Sequence, residues 1–226
     1  MNILITAGGT TEQIDAVRGI TNFSTGRLGC LIAESFVKRP EVERIYYLAG
    51  KNAQFLPKSD KVRITAITGV ASLEAAAKAV VTENDIAAVV HSMAVSDYRV
   101  RSVISTDTGE QIDRTRKIES GRSDIRLELE PTPKIISIFK EITPKSLLVG
   151  FKLMDSVPRE TLIATAYGIL RTERCRFVLA NDQSEILGDR HVGYLVDAER
   201  QVTRFESKQA IADGICAAVI QNLNKE

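Results

Sequence analysis

Short apolar runs alternate with amphipathic stretches of helical length along this chain, and that alternation leaves few folds open. The runs lie near Ile3 to Ala7, Arg44 to Ala49, Val62 to Ala66, Ile86 to His91, Leu147 to Phe151 and Phe177 to Ala180. Strands covered by helices on both faces of a parallel sheet read this way. The intervening spacing predicts helices near Gly26 to Arg39, Val70 to Val81, Pro133 to Glu141 and Pro158 to Thr172. Gly193 to Asp197 and Gln201 to Phe205 bracket Ala198-Glu199-Arg200 and read as a hairpin at the sheet edge. A closing helix from Ser207 gathers Ile211, Ile215, Ala218 and Val219 on one face. The expected architecture is α/β: a Rossmann-like three-layer fold with a mostly parallel sheet and an edge hairpin, forming one domain over residues 1–226.

The chain has 226 residues, long enough to bury about 70% of its unfolded surface without disulfide or metal. Lys and Arg number 30 against 29 Asp and Glu, a net charge of +1, which removes the electrostatic case for a nucleic-acid or membrane binder. Cys30, Cys175 and Cys216 form neither a disulfide framework nor a metal clamp, and suggest a reducing cytoplasm. The first apolar run ends at the Gly8-Gly9 pair, too short for a signal peptide. No window approaches the roughly 18 apolar residues of a membrane span.

Residues Arg99 to Asp124 break the alternation, being dense in charge and in Ser, Thr and Gly. A loop that long is uncommon unless it is a lid or a binding loop. A solvated surface hairpin is the plainer alternative. Arg114, Arg116, Lys117 and Arg122 suit a flap over phosphates.

The first strand runs into Gly8-Gly9-Thr10, and Ser24-Thr25-Gly26-Arg27-Leu28-Gly29 opens the following helix. Amides at a helix start attract anions, and glycine allows close approach. Packing of helix on sheet would be the better explanation of Gly26 and Gly29 if they stood alone, and it is their position after the first strand that favours phosphate. The dinucleotide fingerprint requires G-x-G-x-x-G in one turn and an acidic residue closing the second strand, but that strand ends Leu48-Ala49-Gly50-Lys51. The Walker pattern is also absent. Between the glycine clusters, Glu12, Asp15, Arg18 and Asn22 fall at the carboxyl end of the first strand, where open α/β sheets bind ligands. Each of them alone would also suit a loop that caps its own backbone.

Asp97 leaves the fourth strand at the same edge and suits a ribose hydroxyl or an exocyclic amine. Pro131-Thr132-Pro133 fixes a turn, with Pro133 expected at the first helical position and the amides of Lys134, Ile135 and Ile136 facing an anion. Ala180-Asn181-Asp182 ends the sixth strand similarly. His91, in an apolar run, and His191, in a Gly-Asp-Arg-His turn, read as structural, and no nucleophilic triad or protein metal site is expected.

The segment Gly8-Gly9-Thr10-x-Glu12-x-Ile14-Asp15-x-Val17-Arg18-x-Ile20-Thr21-Asn22-x-Ser24-Thr25-Gly26-Arg27-Leu28-Gly29 closely resembles the opening signature of the phosphopantothenoylcysteine synthetases, the phosphopantothenate-cysteine ligases of coenzyme A synthesis. The resemblance continues through Ala94 to Tyr98, Lys117-Ile118, Pro131 to Ile136, Gly150-Phe151 and Ala180 to Asp182. It implies a stand-alone ligase, since fused relatives carry a flavin decarboxylase domain ahead of this one. CTP would activate the 4′-phosphopantothenate carboxylate as an acyl-cytidylate, releasing pyrophosphate, and the L-cysteine amine would then displace CMP. Mg²⁺ would arrive with the nucleotide.

By that resemblance Asn22 holds the acyl intermediate, Arg18 supports amide formation and Lys117 reaches the triphosphate. Gly8, Gly9, Ser92, Met93, Asp97, Pro133, Lys134, Ile135, Ile136 and Phe151 are assigned to the nucleotide. Ser24, Thr25, Gly26 and Asn181 are assigned to the other substrate, and a homodimer is implied. Thr11, Gln13, Ala16 and Gly19 depart from the usual motif, Glu119-Ser120 replace basic residues, and Lys152 stands where fused relatives carry a small residue. Arg171 or Arg174 would substitute for lysines that many members place before Ala180. ATP in place of CTP, a non-catalytic nucleotide-binding module and, last, a dehydrogenase are the alternatives.

Overall fold

The computed structural model describes residues 1–188 and 190–225. Strand β1 (Asn2–Ala7) is followed by a small antiparallel pair, β2 (Thr11–Gln13) and β3 (Gly19–Thr21), and then by α1 (Arg27–Val37). β4 (Arg44–Gly50), β5 (Val62–Ile67), α2 (Val70–Glu83) and β6 (Ile86–His91) complete the first half. β7 (Tyr98–Ser105) and β8 (Ile125–Pro131) form a second separate antiparallel pair. α3 (Ile135–Ile142), β9 (Leu147–Met154), α4 (Arg159–Thr172) and β10 (Phe177–Asp182) come next. β11 (Ile186–Leu187), β12 (Arg190–Asp197), β13 (Val202–Ser207) and α5 (Lys208–Leu223) close the chain.

Among the described residues, nine strands form the main sheet in the order β11-β12-β10-β9-β6-β1-β4-β5, with β13 also paired to β12. The pairings from β5 across to β10 are parallel, and those of β12 are antiparallel. The expected α/β architecture, edge hairpin included, is therefore present. From β1 the chain winds outward to β4 and β5, then returns to β6 on the other side. That reversal leaves a crevice beyond the carboxyl ends of β1 and β6.

Alternation along the strands fills both faces. Ile3 and Ile5 of β1 join Phe36 of α1 and Ile211, Ile215 and Val219 of α5. Leu4 joins Leu73 of α2, Phe139 of α3 and Leu162 of α4 on the opposite face. Helix α1 turns Gly29, Ile32, Ala33 and Phe36 inward at helical spacing. Ser207 ends β13 and caps α5, its side chain accepting from the Ala210 amide at 3.2 Å.

Residues 99–124 are not one loop. Their first part continues β7, which pairs with β8 beyond their end, so both flanks belong to a hairpin. Charged residues on the exposed side, Arg99, Arg101, Glu128 and Glu130, hid the alternation. Val100, Val103 and Ile118 make a small core of their own, against Ile14 and Ile20. Pro133 is not helical: Lys134 is the extended residue preceding α3, two positions after the expected start. Thr132 explains this, because its amide donates to the Asp97 carbonyl at 3.0 Å and its hydroxyl to the Ser96 carbonyl at 2.5 Å. These bonds hold the prolines on the extended path of β8. His191 lies in β12 rather than in a turn, while Asp189 lies outside the described residues.

Asp15 fastens the segment after β7 to the first half. Its buried carboxylate accepts from the amides of Val17 and Arg18, both at 2.8 Å, and from Ile118 at 3.1 Å. These bonds, led by that of Val17, lower its pKa. Arg114 donates to the carbonyls of Gln13, Ile14 and Val100 from the other side. Asp15→Asn cannot accept all three amides, so limited proteolysis within 106–124 is expected to rise several-fold, with a loss of about 1–3 kcal/mol in unfolding free energy. Unchanged cleavage would show that Asp15 does not hold this segment.

Candidate active site

The chain leaves β1 still paired. The Ser92 amide donates to the Thr6 carbonyl at 3.0 Å, Ala94 to Gly8 at 2.9 Å, and Thr10 back to Ala94 at 3.1 Å. The Thr10 hydroxyl accepts from the Ser96 amide at 2.9 Å. The Asn22 amide in turn donates to the Thr10 carbonyl at 3.2 Å. Gly9 makes this stacking of backbones possible, since a Cβ there would sit 2.1 Å from the Asn22 carbonyl oxygen. Gly26, at φ +77°, turns the chain into α1 in the left-handed region that a side chain would strain.

Two adjoining cavities fill the crevice. The first, about 460 Å³, lies over the start of α1, with Gly8, Ser24, Thr25, Gly26 and Arg27 on one side and Asn181, Gln183, His191 and Lys208 in its lining. The second, about 430 Å³, lies between α3 and α4 and includes Asn22, Asp97, the segment Pro133 to Ile136, Lys152 and Glu173. Met93, Ala94, Phe151 and Leu153 belong to both. The Asn22 side chain makes no hydrogen bond among the described residues, which leaves its amide available to a ligand.

Sequence-assigned residues thus divide between two rooms. Ser24, Thr25, Gly26, Asn181, Gly8 and Ser92 line the first. Asn22, Asp97, Pro133, Lys134, Ile135 and Ile136 line the second, and Met93 and Phe151 line both. Gly9 lines neither and serves the backbone contact just described. Arg18 is held at the Ile118 carbonyl at 2.8 Å and beside Asp15, facing a separate small cavity with Lys51 and Asn52. Exposed Lys117 reaches neither cavity within one chain. Glu12 caps α2, accepting from the Val70 amide at 2.7 Å. Lys134 pairs with Asp97 at 3.4 Å on the open surface.

The two histidines differ in setting. His91 shares a hydrogen with the Thr6 hydroxyl across 2.7 Å and meets the Phe139 ring edge-on. Burial lowers its pKa to about 4. His191, in the wall of the first cavity, is 3.2 Å from the Asn181 amide nitrogen through Nε2, and its buried Nδ1 has no partner among the described residues. Burial, then the charge of Lys208, lowers its pKa to about 4 as well. Asp182 latches the loops together, accepting from the amides of Ser156, Val157 and Ser184. The Ser184 hydroxyl bond is the main cause of its depressed pKa.

A family model described as the DNA/pantothenate metabolism flavoprotein C-terminal domain matches residues 1–223. The chain belongs to this family. A curated relative, the coenzyme A biosynthesis bifunctional protein CoaBC of Thermococcus kodakarensis, is 36% identical over 179 residues, 79% of this chain. The chain spans 40% of that relative's length in the match. The crystal structure of the DNA/pantothenate metabolism flavoprotein from Streptococcus pneumoniae superposes with a TM-score of 0.87 at 31% identity, covering 98% of this chain and 99% of that one. The C-terminal domain of a CoaBC protein gives a TM-score of 0.76 at 25% identity, covering 100% of this chain and 96% of that one.

Several residues that line the two cavities were not singled out from the sequence. Arg27 is stacked over the Phe55 ring at 5.0 Å, Lys208 comes from the far end of the chain, and Glu173 closes α4. Arg27 stood inside the quoted motif, where its charge at a helix start was the available signal. Arg171 and Arg174 line neither cavity; Lys134 and Lys152 are the cations in the second one.

Gly9→Ala must displace the Asn22 segment, at an expected cost of about 1–3 kcal/mol in urea unfolding. Equal stability would mean that the segment yields without strain. The histidines set an acid window. The unfolded chain protonates them near their ordinary value of 6.5, whereas the folded chain holds them neutral down to about 4. The unfolded state therefore binds more protons between these values, and stability falls as pH drops from about 6.5 to about 4. Unfolding titrations across that range check this, and a flat profile would contradict it.

Proposed function

We propose that this chain is a phosphopantothenate-cysteine ligase that uses CTP. The observation that carries the reading is the pair of adjoining cavities at the sheet's crevice, with the unpartnered Asn22 amide beside their shared wall. Two anionic substrates must be brought together by such an enzyme, and each cavity is of a size to hold one. The nucleotide base lies in the second cavity, with its phosphates toward Gly8 and Ser92. The 4′-phosphopantothenate lies in the first, near the helix start at Gly26 and the cations Arg27 and Lys208.

The substrate carboxylate oxygen attacks the α-phosphorus of CTP, and the bond to pyrophosphate breaks. The nitrogen of L-cysteine then attacks the acyl carbon, loses a proton and expels CMP. Neither step requires an enzyme nucleophile. The protein's work is orientation and stabilisation of charge, with Asn22 donating to the acyl oxygen as charge develops there. Mg²⁺ would come as part of the nucleotide substrate and supply charge neutralisation for its phosphates. No group of three metal-ligating side chains stands together among the described residues.

The reading extends to a homodimer, in which a second copy supplies Arg18 and Lys117 to the site. Phe23 and Leu153, apolar and exposed at the first cavity, favour such a neighbour. Three free, buried thiols accord with a cytoplasmic setting. No helix among the described residues is long and apolar enough to cross a membrane.

Pyrophosphate release with Mg²⁺, 4′-phosphopantothenate and cysteine, comparing CTP with ATP and omitting each substrate in turn, tests the proposal. Release that requires phosphopantothenate and favours CTP is expected. Nucleotide binding without release would instead mark a binding module. Asn22→Asp should reduce turnover by about 10²–10³-fold while leaving the fold intact, the loss typical of one oxyanion donor. Unaltered turnover would remove Asn22 from the mechanism.

A further inference from the structure

The second cavity holds two half-buried charges that do not neutralise each other. Glu173 and Lys152 both line it, yet neither takes part in an ion pair within 4 Å among the described residues. Glu173 is the C-cap of α4, where the negative end of the helix disfavours a carboxylate. Its place is therefore not explained by helix stability. The Ser137 hydroxyl donates to Oε2 at 2.6 Å and fixes the carboxylate against α3. Oε1 has no hydrogen bond among the described residues. Ile136 and Ile169 beside it offer apolar surface for a flat ring.

We propose that Glu173 selects the nucleotide base, accepting a hydrogen bond from an exocyclic amine, with Lys152 donating to the ring's acceptors on the same edge. This rests on the nucleotide reading of the second cavity. An ionised carboxylate only accepts and an ammonium only donates. Together they match the amine and the neighbouring acceptors along the pairing edge of cytosine. Uracil reverses the first position, setting a carbonyl oxygen against Oε1. A bidentate mismatch of this kind reduces affinity about tenfold to a hundredfold.

Calorimetric titration of the protein with CTP and with UTP tests the assignment apart from turnover. The protein is expected to bind CTP at least about tenfold more tightly than UTP. Glu173→Gln keeps a partner for Ser137 and supplies an amide that can also donate to a carbonyl, so the CTP-to-UTP ratio should fall to within about threefold, with the thermal midpoint retained. Lys152→Met should weaken both nucleotides. Equal binding of CTP and UTP by the unaltered protein, or an unchanged ratio in Glu173→Gln, overturns the role of Glu173 and leaves the nucleotide site standing. Failure to bind any nucleotide overturns both.

Discussion

The architecture of the crevice depends on one close backbone contact, that of Gly9 against the carbonyl of Asn22. A parallel sheet delivers its strand ends to a common edge, but the edge is useful only if the departing chain stays near it. Here Gly8 to Thr10 leave β1 without leaving the sheet's hydrogen-bonding pattern, bonding to Ala94 and Ser96 beyond the end of β6. The Asn22 segment then lies directly on that extension. The side chain of Asn22 inherits the rigidity of two central strands although it stands in a loop.

Other polar residues near the same edge serve the scaffold. Glu12 satisfies the start of α2, Asp15 gathers three amides, and Asp182 joins the loops after β9 and β10. Each removes unsatisfied backbone donors that a loop-built site would otherwise leave. Their negative charge is spent on N–H groups, which leaves Arg27 and Lys208 to set the sign of the first cavity.

The layered fold was legible in the sequence because the inner strands of the parallel region are apolar on both faces and each helix carries its own stripe, while the exposed edge strand β5 still shows Val62, Ile64, Ala66 and Ile67 as a short run. The β7 and β8 pair was not, because it is solvated on one side and its alternation is diluted by Arg99, Arg101, Glu128 and Glu130. Among the cavity-lining residues, Asn22 and the Ser24 to Gly26 turn were readable as one contiguous motif. Glu12 and Asp15 looked like ligand residues because their partners, Val70 and Ile118, lie 58 and 103 positions away. Nothing local announces such pairings. His191, Lys208 and Glu173 reach the cavities from separate elements, and only the folded sheet brings them there.

The partition between the two cavities has a further consequence. Met93 and Ala94 continue the chain beyond β6, Ala94 bonding to the extension of β1, while Phe151 and Leu153 belong to β9 and pair with β10, so the two sides of the wall are carried by different strand pairs of one sheet. Because Met93, Ala94, Phe151 and Leu153 line both chambers, an occupant of either one touches the same four residues, and two occupants would influence each other through this shared partition.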